Sequence, residues 1–223
     1  ALAIWLGMNL WKHAVPKPLF TETGLQAVPP ADSNGCVLLY DDRIVGEFSS
    51  KDLNDVNMFR NAASIEVFLD KTRDEYTFAK TIAGRDDVKK MMDLFREIAA
   101  RPEFADIVQP DARDARKISV YLALHNAITA TIIANMQEKK NGAAFTLMRD
   151  QLRLNARYFT SARSMTNYLM SLRAYEKSLG ILKSMLAQSA AGGMGPSALA
   201  TCREIADLMR SFNPGSVPLS PIV

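Results

Sequence analysis

Histidine and cysteine are scarce in this sequence, two of each in 223 residues: His13, His125, Cys36 and Cys202. None of the spacings HxxxH, ExxH or HExxH occurs, so a helix-borne transition-metal site is not expected. Two distant cysteines do not make a metal site on their own. No serine stands in a G-x-S-x-G elbow. The glycine-rich stretch at 192–195 precedes a helix, but it lacks the Lys-Ser/Thr pair and the preceding strand of a phosphate-binding loop. Long apolar runs are missing too: no stretch reaches the roughly eighteen residues that span a bilayer. A dominant charge is also missing. Lys and Arg number 27 against 24 Asp and Glu, a net charge of +3. The best basic cluster, Lys139-Lys140, reads as a solvated turn, so no nucleic-acid partner is expected. These absences leave no cofactor, metal or catalytic constellation to assign.

What is present is an ordinary globular composition, 48% hydrophobic and 23% charged, in a length that suits one domain. Residues 1–13 stand apart. They are apolar nearly all round, and they carry Trp5 and Trp11, residues that favour membrane–water interfaces. We expect this segment to be the remaining end of a membrane anchor. The rivals are a first docked helix and a signal-peptide remnant. Pro16-Lys17-Pro18 stops it, and residues 14–35 read as a linker rich in proline and turn formers. A helical domain is expected over 36–212, followed by a proline-rich tail at 213–223 suited to docking on a partner.

Within the domain, residues 36–48 place two apolar runs around Asp41-Asp42-Arg43. That pattern predicts a small hairpin, with a short helix over 37–45 as the alternative. From Ser50 onward the spacing is helical. Leu53 and Val56 begin one helix. Ile65, Phe68, Leu69, Tyr76, Ala79 and Ile82 define a second that ends at Gly84. A third opens on Asp86-Asp87 and stops at Arg101-Pro102. Residues 102–114 are a connector with Phe104, Ile107 and Val108 tucked inward. The helix over 114–138 is apolar on both sides, so it should be central. Asn141-Gly142 is expected to turn the chain into a helix carrying Phe145, Met148, Leu152, Ala156 and Phe159. The clearest stripe follows, Met165 to Leu186, then a flexible break. A last helix starts at Pro196 with Leu199, Cys202, Ile205, Ala206, Met209 and Phe212 inside. Helix starts near 118, 143, 164 and 197 are unevenly spaced, so no repeat architecture is implied. The fold class is mainly α: an irregular bundle of five to seven helices with a candidate N-terminal hairpin.

Few residues invite a functional reading. His125 interrupts an apolar stripe and must find a partner inside the fold. With Tyr121 it could line a ligand pocket. More simply, it is a core histidine bonded to a neighbour. Arg157, Arg163, Arg173 and Lys177 decorate two consecutive helices and could form a basic surface for lipid headgroups or an acidic partner. Cys36 and Cys202 could pair outside the cytoplasm, or stay as buried thiols. The carboxylate pairs Asp41-Asp42, Asp86-Asp87 and Asp111/Asp114 each have a local structural explanation. The expectation is a non-catalytic scaffold or protein-interaction module. It would be tethered by its N-terminus on the extracytoplasmic side of a membrane, in a bacterial-type envelope assembly with protein partners. The alternatives are a ligand-sensing bundle with a pocket near His125, and an enzyme whose carboxylates converge only in the fold.

Overall fold

The computed structural model describes residues 29–41, 65–107 and 115–211. Among them are seven α-helices, one 3-10 helix and no strand, which makes the protein a mainly α bundle. The 3-10 helix is Gly35–Tyr40; the α-helices are α1 (Glu66–Leu69), α2 (Asp74–Gly84), α3 (Asp86–Ala100), α4 (Ala115–Gln137), α5 (Asn141–Ser161), α6 (Met165–Gly192) and α7 (Pro196–Ser211). Trp5 and Trp11, the helix expected after Ser50, and the tail beyond Ser211 lie outside the described residues.

α4 is the axis of the bundle. It packs against α1, α2, α3, α5, α6 and the 3-10 helix. Every residue from Leu124 to Ala130 is buried, as its small apolar residues on both sides predict. α5 lies between α4, α6 and α7. The last two helices therefore reach the centre largely through α5.

Several local expectations are corrected. The first arm of the expected hairpin is the 3-10 helix; its second arm lies outside the described residues. Asn34 decides this locally, because its side-chain oxygen accepts the Cys36 amide at 3.1 Å and caps the helix. The same side chain clasps the connector before α4. Oδ1 accepts from Ala105 N at 3.0 Å and Nδ2 donates to Ala105 O at 2.9 Å. The Cys36 end of the 3-10 helix approaches α3 so closely that a Cβ on Gly35 would stand 2.9 Å from the Ile98 carbonyl oxygen. That oxygen is backbone and cannot turn away. Gly35→Ala is expected to cost about 2 kcal/mol by forcing the two segments apart, read as a lower urea midpoint.

The single helix expected from Ile65 to Gly84 is two. Asp70 accepts from both the amide of Thr72 (3.0 Å) and its hydroxyl (2.7 Å), a local bond set that competes with helix continuation. The turn expected at Asn141-Gly142 sits just upstream at 138–140, with Lys139 in the left-handed region at φ 58. Gly142 instead serves packing in the first turn of α5: a Cβ there would meet Ser197 Oγ at 3.1 Å. α6 runs on past Leu186 to Gly192, through the first half of the break expected at 190–195.

The largest correction concerns which face of α6 is inside. The residues it buries are Asn167, Ser171, Ala174, Ser178, Ile181, Leu182, Met185 and Ser189, together with Ser184. Most of them repeat at heptad intervals. The leucine and tyrosine stripe stands about a quarter-turn round. Of it Leu182 is buried, Tyr168, Leu172, Tyr175 and Leu179 are half-buried, and Leu169 and Leu186 are exposed. α7 is similar: Ala198, Thr201 and Ile205 are buried, Cys202 and Ala206 half-buried, and Leu199 and Met209 exposed. Phe212 lies outside the described residues.

Candidate functional site

The polar chemistry of the bundle is gathered inside it, along the contact of α4 with α5 and α6. α5 contributes Gln151, Asn155 and Tyr158 at helical spacing on one buried face. α4 contributes Tyr121, His125 and Thr129, one turn apart, so they share a face. Two hydrogen-bonded groups result, joined by an edge-on contact between the rings of Tyr121 and Tyr158 with centroids 4.6 Å apart.

The first group surrounds His125, which is 3% exposed. Its Nδ1 receives the side-chain amide of Gln151 at 3.2 Å and that of Asn155 at 3.5 Å. Both partners are N–H donors, so Nδ1 is the acceptor and the ring proton sits on Nε2. The two hydrogens of Gln151 Nε2 are shared among three acceptors, His125 Nδ1, the His125 carbonyl at 2.9 Å and Thr129 Oγ1 at 3.3 Å. Asn155 accepts from the Tyr121 hydroxyl at 2.8 Å and donates to Ser178 Oγ at 3.0 Å. His125 Nε2 and Gln151 Oε1 are buried with no hydrogen-bond partner. Burial, then the Lys177 ammonium, lower the His125 pKa to about 3. The ring is therefore neutral at physiological pH. Burial pushes the Tyr121 phenol far above its usual range.

The second group centres on Asp106, a carboxylate 1% exposed. Oδ2 accepts from the Arg163 amide at 2.9 Å and from Asn167 Nδ2 at 2.8 Å; Oδ1 accepts from the Tyr40 hydroxyl at 3.3 Å. Tyr40 and Tyr158 share a hydrogen bond of 2.8 Å, and Asp106 N donates to Ser161 Oγ at 3.2 Å. The group thereby ties the 3-10 helix and the pre-α4 connector to the α5–α6 junction. Burial, then the charge of Asp106, raise the Tyr40 phenol and the Cys36 thiol; burial likewise raises Tyr158. Cys36 is held as an unreactive thiol.

The sequence-derived candidates are thus dispersed. His125 and Tyr121 do meet, through Asn155. Lys177 does not join a basic surface: it is half-buried, and its Nζ donates to Asn126 Oδ1 at 3.0 Å. Arg157 and Arg163 are half-buried, and Arg173 is exposed. The Cys36–Cys202 pair is not formed. Both thiols are free, because Cys36 lies on the 3-10 helix against α3 and α4 while α7 carries Cys202 against α5. Asp86 pairs with Lys89 in solvent, Asp87 pairs with Arg85, and Asp42, Asp111 and Asp114 lie outside the described residues. Sequence reasoning missed Asp106, Asn155, Gln151 and Asn167. Only Asp106 carried a signal, being set between the inward-turned Phe104 and Ile107.

Chemically, these groups hold helices together. No hydroxyl or thiol bonds to either ring nitrogen of His125 among the described residues, so the nucleophile–base pairing of covalent catalysis is not assembled there. No group of three or more His, Cys, Asp or Glu could hold a metal ion among the described residues. No helix among them is long and apolar enough to cross a membrane. No family model matches the chain, and no curated protein or solved structure matches it.

Proposed function

We propose that this protein is a non-catalytic interaction module, a helical scaffold that docks other proteins through the outer side of α6 and α7. The observation that carries this reading is the outer side of α6, where Leu169 and Leu186 are exposed and Leu172 is half-buried; α7 separately exposes Leu199 and Met209. Single apolar residues scattered on a surface need no explanation, whereas large ones left out on one helix face are suited to a contact. In this reading residues 1–13 tether the module to a membrane, on the extracytoplasmic side of a bacterial-type envelope, and the proline-rich tail adds a second point of attachment.

The test is purification of the full chain from membranes in mild detergent, with mass spectrometry of the co-eluting chains. Wild type is expected to retain a defined set of proteins. Leu172→Glu is expected to lose them while keeping the wild-type helical circular-dichroism spectrum and melting cooperatively. Elution alone, or an unchanged partner set in the variant, would refute the docking role. Flotation with anionic vesicles tests the tether separately. Loss of binding on deleting residues 1–13 supports it, and unchanged binding removes it.

A second reading has one observation in its favour. The orphaned His125 Nε2 and Gln151 Oε1 are a buried donor and acceptor, the pairing that a small polar ligand would satisfy. It makes His125 and Tyr121 part of a sensing site. A rise in melting temperature with a small polar solute, abolished in His125→Gln, would support it over the scaffold.

A further inference from the structure

We propose that the corner where α5 ends and α6 begins takes an acidic segment of a partner protein. This inference rests on the reading of the outer side of α6 as a docking surface and names the chemistry of what docks there. From Gln151 to Tyr175 the sequence holds four arginines, Arg153, Arg157, Arg163 and Arg173, and no lysine, aspartate or glutamate. The stretch is the second half of α5, the link and the start of α6.

The carboxylates around the corner leave most of that charge unmatched. Asp150, one residue before the stretch, bonds Arg149 at 2.8 Å and lies 4.0 Å from Arg153. Asp106 is buried, with its oxygens on the Arg163 amide, Asn167 and Tyr40. Glu176, one residue after the stretch, is exposed. Among the described residues no ion pair reaches the guanidinium of Arg157, Arg163 or Arg173. Apolar surface adjoins them. Leu169 and Arg173 stand four apart on one exposed face of α6, with half-buried Leu172 beside them. The rings of Phe159 and Tyr168 lie 4.7 Å apart, which holds the end of α5, with Arg157, at the same end of the bundle as Leu169.

The far end of α6 is different. From Glu176 to Ala190 two lysines stand against one glutamate, and Lys177 is turned to Asn126. The docking surface is thus basic at one end and nearly neutral at the other, which orients a partner whose acidic end meets the corner. Burial selects among anions. Arg157 and Arg163 are half-buried, so a carboxylate on a projecting side chain reaches them more readily than the plane of a bilayer does. The planar guanidinium fork matches such a carboxylate. Tyr158 and Phe159 are buried, so they offer no stacking platform to nucleic-acid bases.

The experiment is fluorescence anisotropy of a labelled random glutamate–tyrosine copolymer titrated with the full chain in mild detergent. Binding that weakens as salt is added is expected. Arg157→Gln/Arg173→Gln should weaken it by about tenfold or more, and Leu169→Ser should weaken it less. Lys139→Gln/Lys140→Gln, at the turn before α5, should leave it unchanged. Arg157→Lys/Arg173→Lys keeps the charge and should retain most of the binding, which separates loss of charge from loss of fold. No binding of the copolymer, or binding indifferent to the arginine pair, would overturn the proposal. Arginine-dependent binding to phosphatidylglycerol vesicles in place of the copolymer would also overturn it, and would assign the corner to a membrane. A set of co-eluting chains lost in Leu172→Glu but kept in Arg157→Gln/Arg173→Gln would leave the docking role standing and remove only the acidic partner.

Discussion

Asp106→Ala lowers the stability of the fold by about 3–5 kcal/mol, the largest effect expected from a single side chain here. The alanine leaves the Arg163 amide, Asn167 Nδ2 and the Tyr40 hydroxyl without the acceptor they share. Each is buried or partly buried, and an abandoned buried donor costs about 1–3 kcal/mol. The loss is not confined to one helix, because this carboxylate joins the 3-10 helix and the connector to the start of α6. Asp106→Asn separates the hydrogen-bond account from simple loss of volume. Its carbonyl oxygen can keep the two bonds made by Oδ2, and its amide can donate to Tyr40, whose hydroxyl can still donate to Tyr158. It should therefore cost less than half as much as alanine. Urea midpoints at pH 7 measure both variants, and equal losses would contradict the account.

Acidification should destabilise the protein through His125. Its pKa is about 3 in the fold against an ordinary 6.5. Below pH 6.5 the unfolded chain therefore binds a proton that the native chain refuses. Stability is fully present above 6.5 and falls as the pH drops from there toward 3. At 1.36 kcal/mol per pH unit for one proton, the loss between pH 6.5 and 4.5 is about 2.5 kcal/mol. Protonation would also put an N–H where Gln151 and Asn155 already point theirs, with the Lys177 charge nearby. The carboxylates with lowered pKa values, Asp70, Asp86 and Glu138, are solvent-exposed and lose their contribution only as the pH falls through the ordinary carboxylate range. The upper part of the window therefore belongs to His125. His125→Gln should be less stable than wild type at pH 7 and nearly flat between 6.5 and 4.5. A variant as steep as wild type would assign the effect elsewhere.

The residues of α4 were easy to read because their burial is apolar: Ala123, Ala127 and Ala130 make its second face small, and small apolar faces are inside. α6 was harder for the opposite reason. Its buried face carries serines, which periodicity scores as solvent-facing. Ser171 and Ser178 return their hydroxyls to the carbonyls of Asn167 (2.7 Å) and Ala174 (3.0 Å). A serine satisfied this way asks nothing of water and packs as a small residue. Leu169 and Leu186, which hydrophobicity assigns to the core, are left exposed.

The same physics hid the polar interior. His125 was legible as an oddity in an apolar stripe, but its partners Gln151 and Asn155 sit on α5 beside Arg153 and Arg157, where they resemble a solvated face. Only the approach of α4 and α6 turns them inward. The split between α1 and α2 rests on one side chain, Asp70, whose bonds to Thr72 outweigh the continuity of the apolar stripe. The 3-10 helix rests on Asn34, which sequence reasoning assigned to a linker. Elements defined by apolar spacing were therefore readable, and those defined by one capping or bonding side chain were not.

The central claim is that α6 turns its serine seam to its own bundle and presents its outer leucines, Leu169, Leu172 and Leu186, to a partner. Hydroxyl-radical footprinting of the full chain, dilute and then in the assembly retained by mild detergent, tests it most directly. Leu169, Leu172 and Leu186 should react readily in the dilute protein and become protected in the assembly, with Ile181 and Met185 protected in both. Protection of those three in the dilute protein, or no change on assembly, would contradict it.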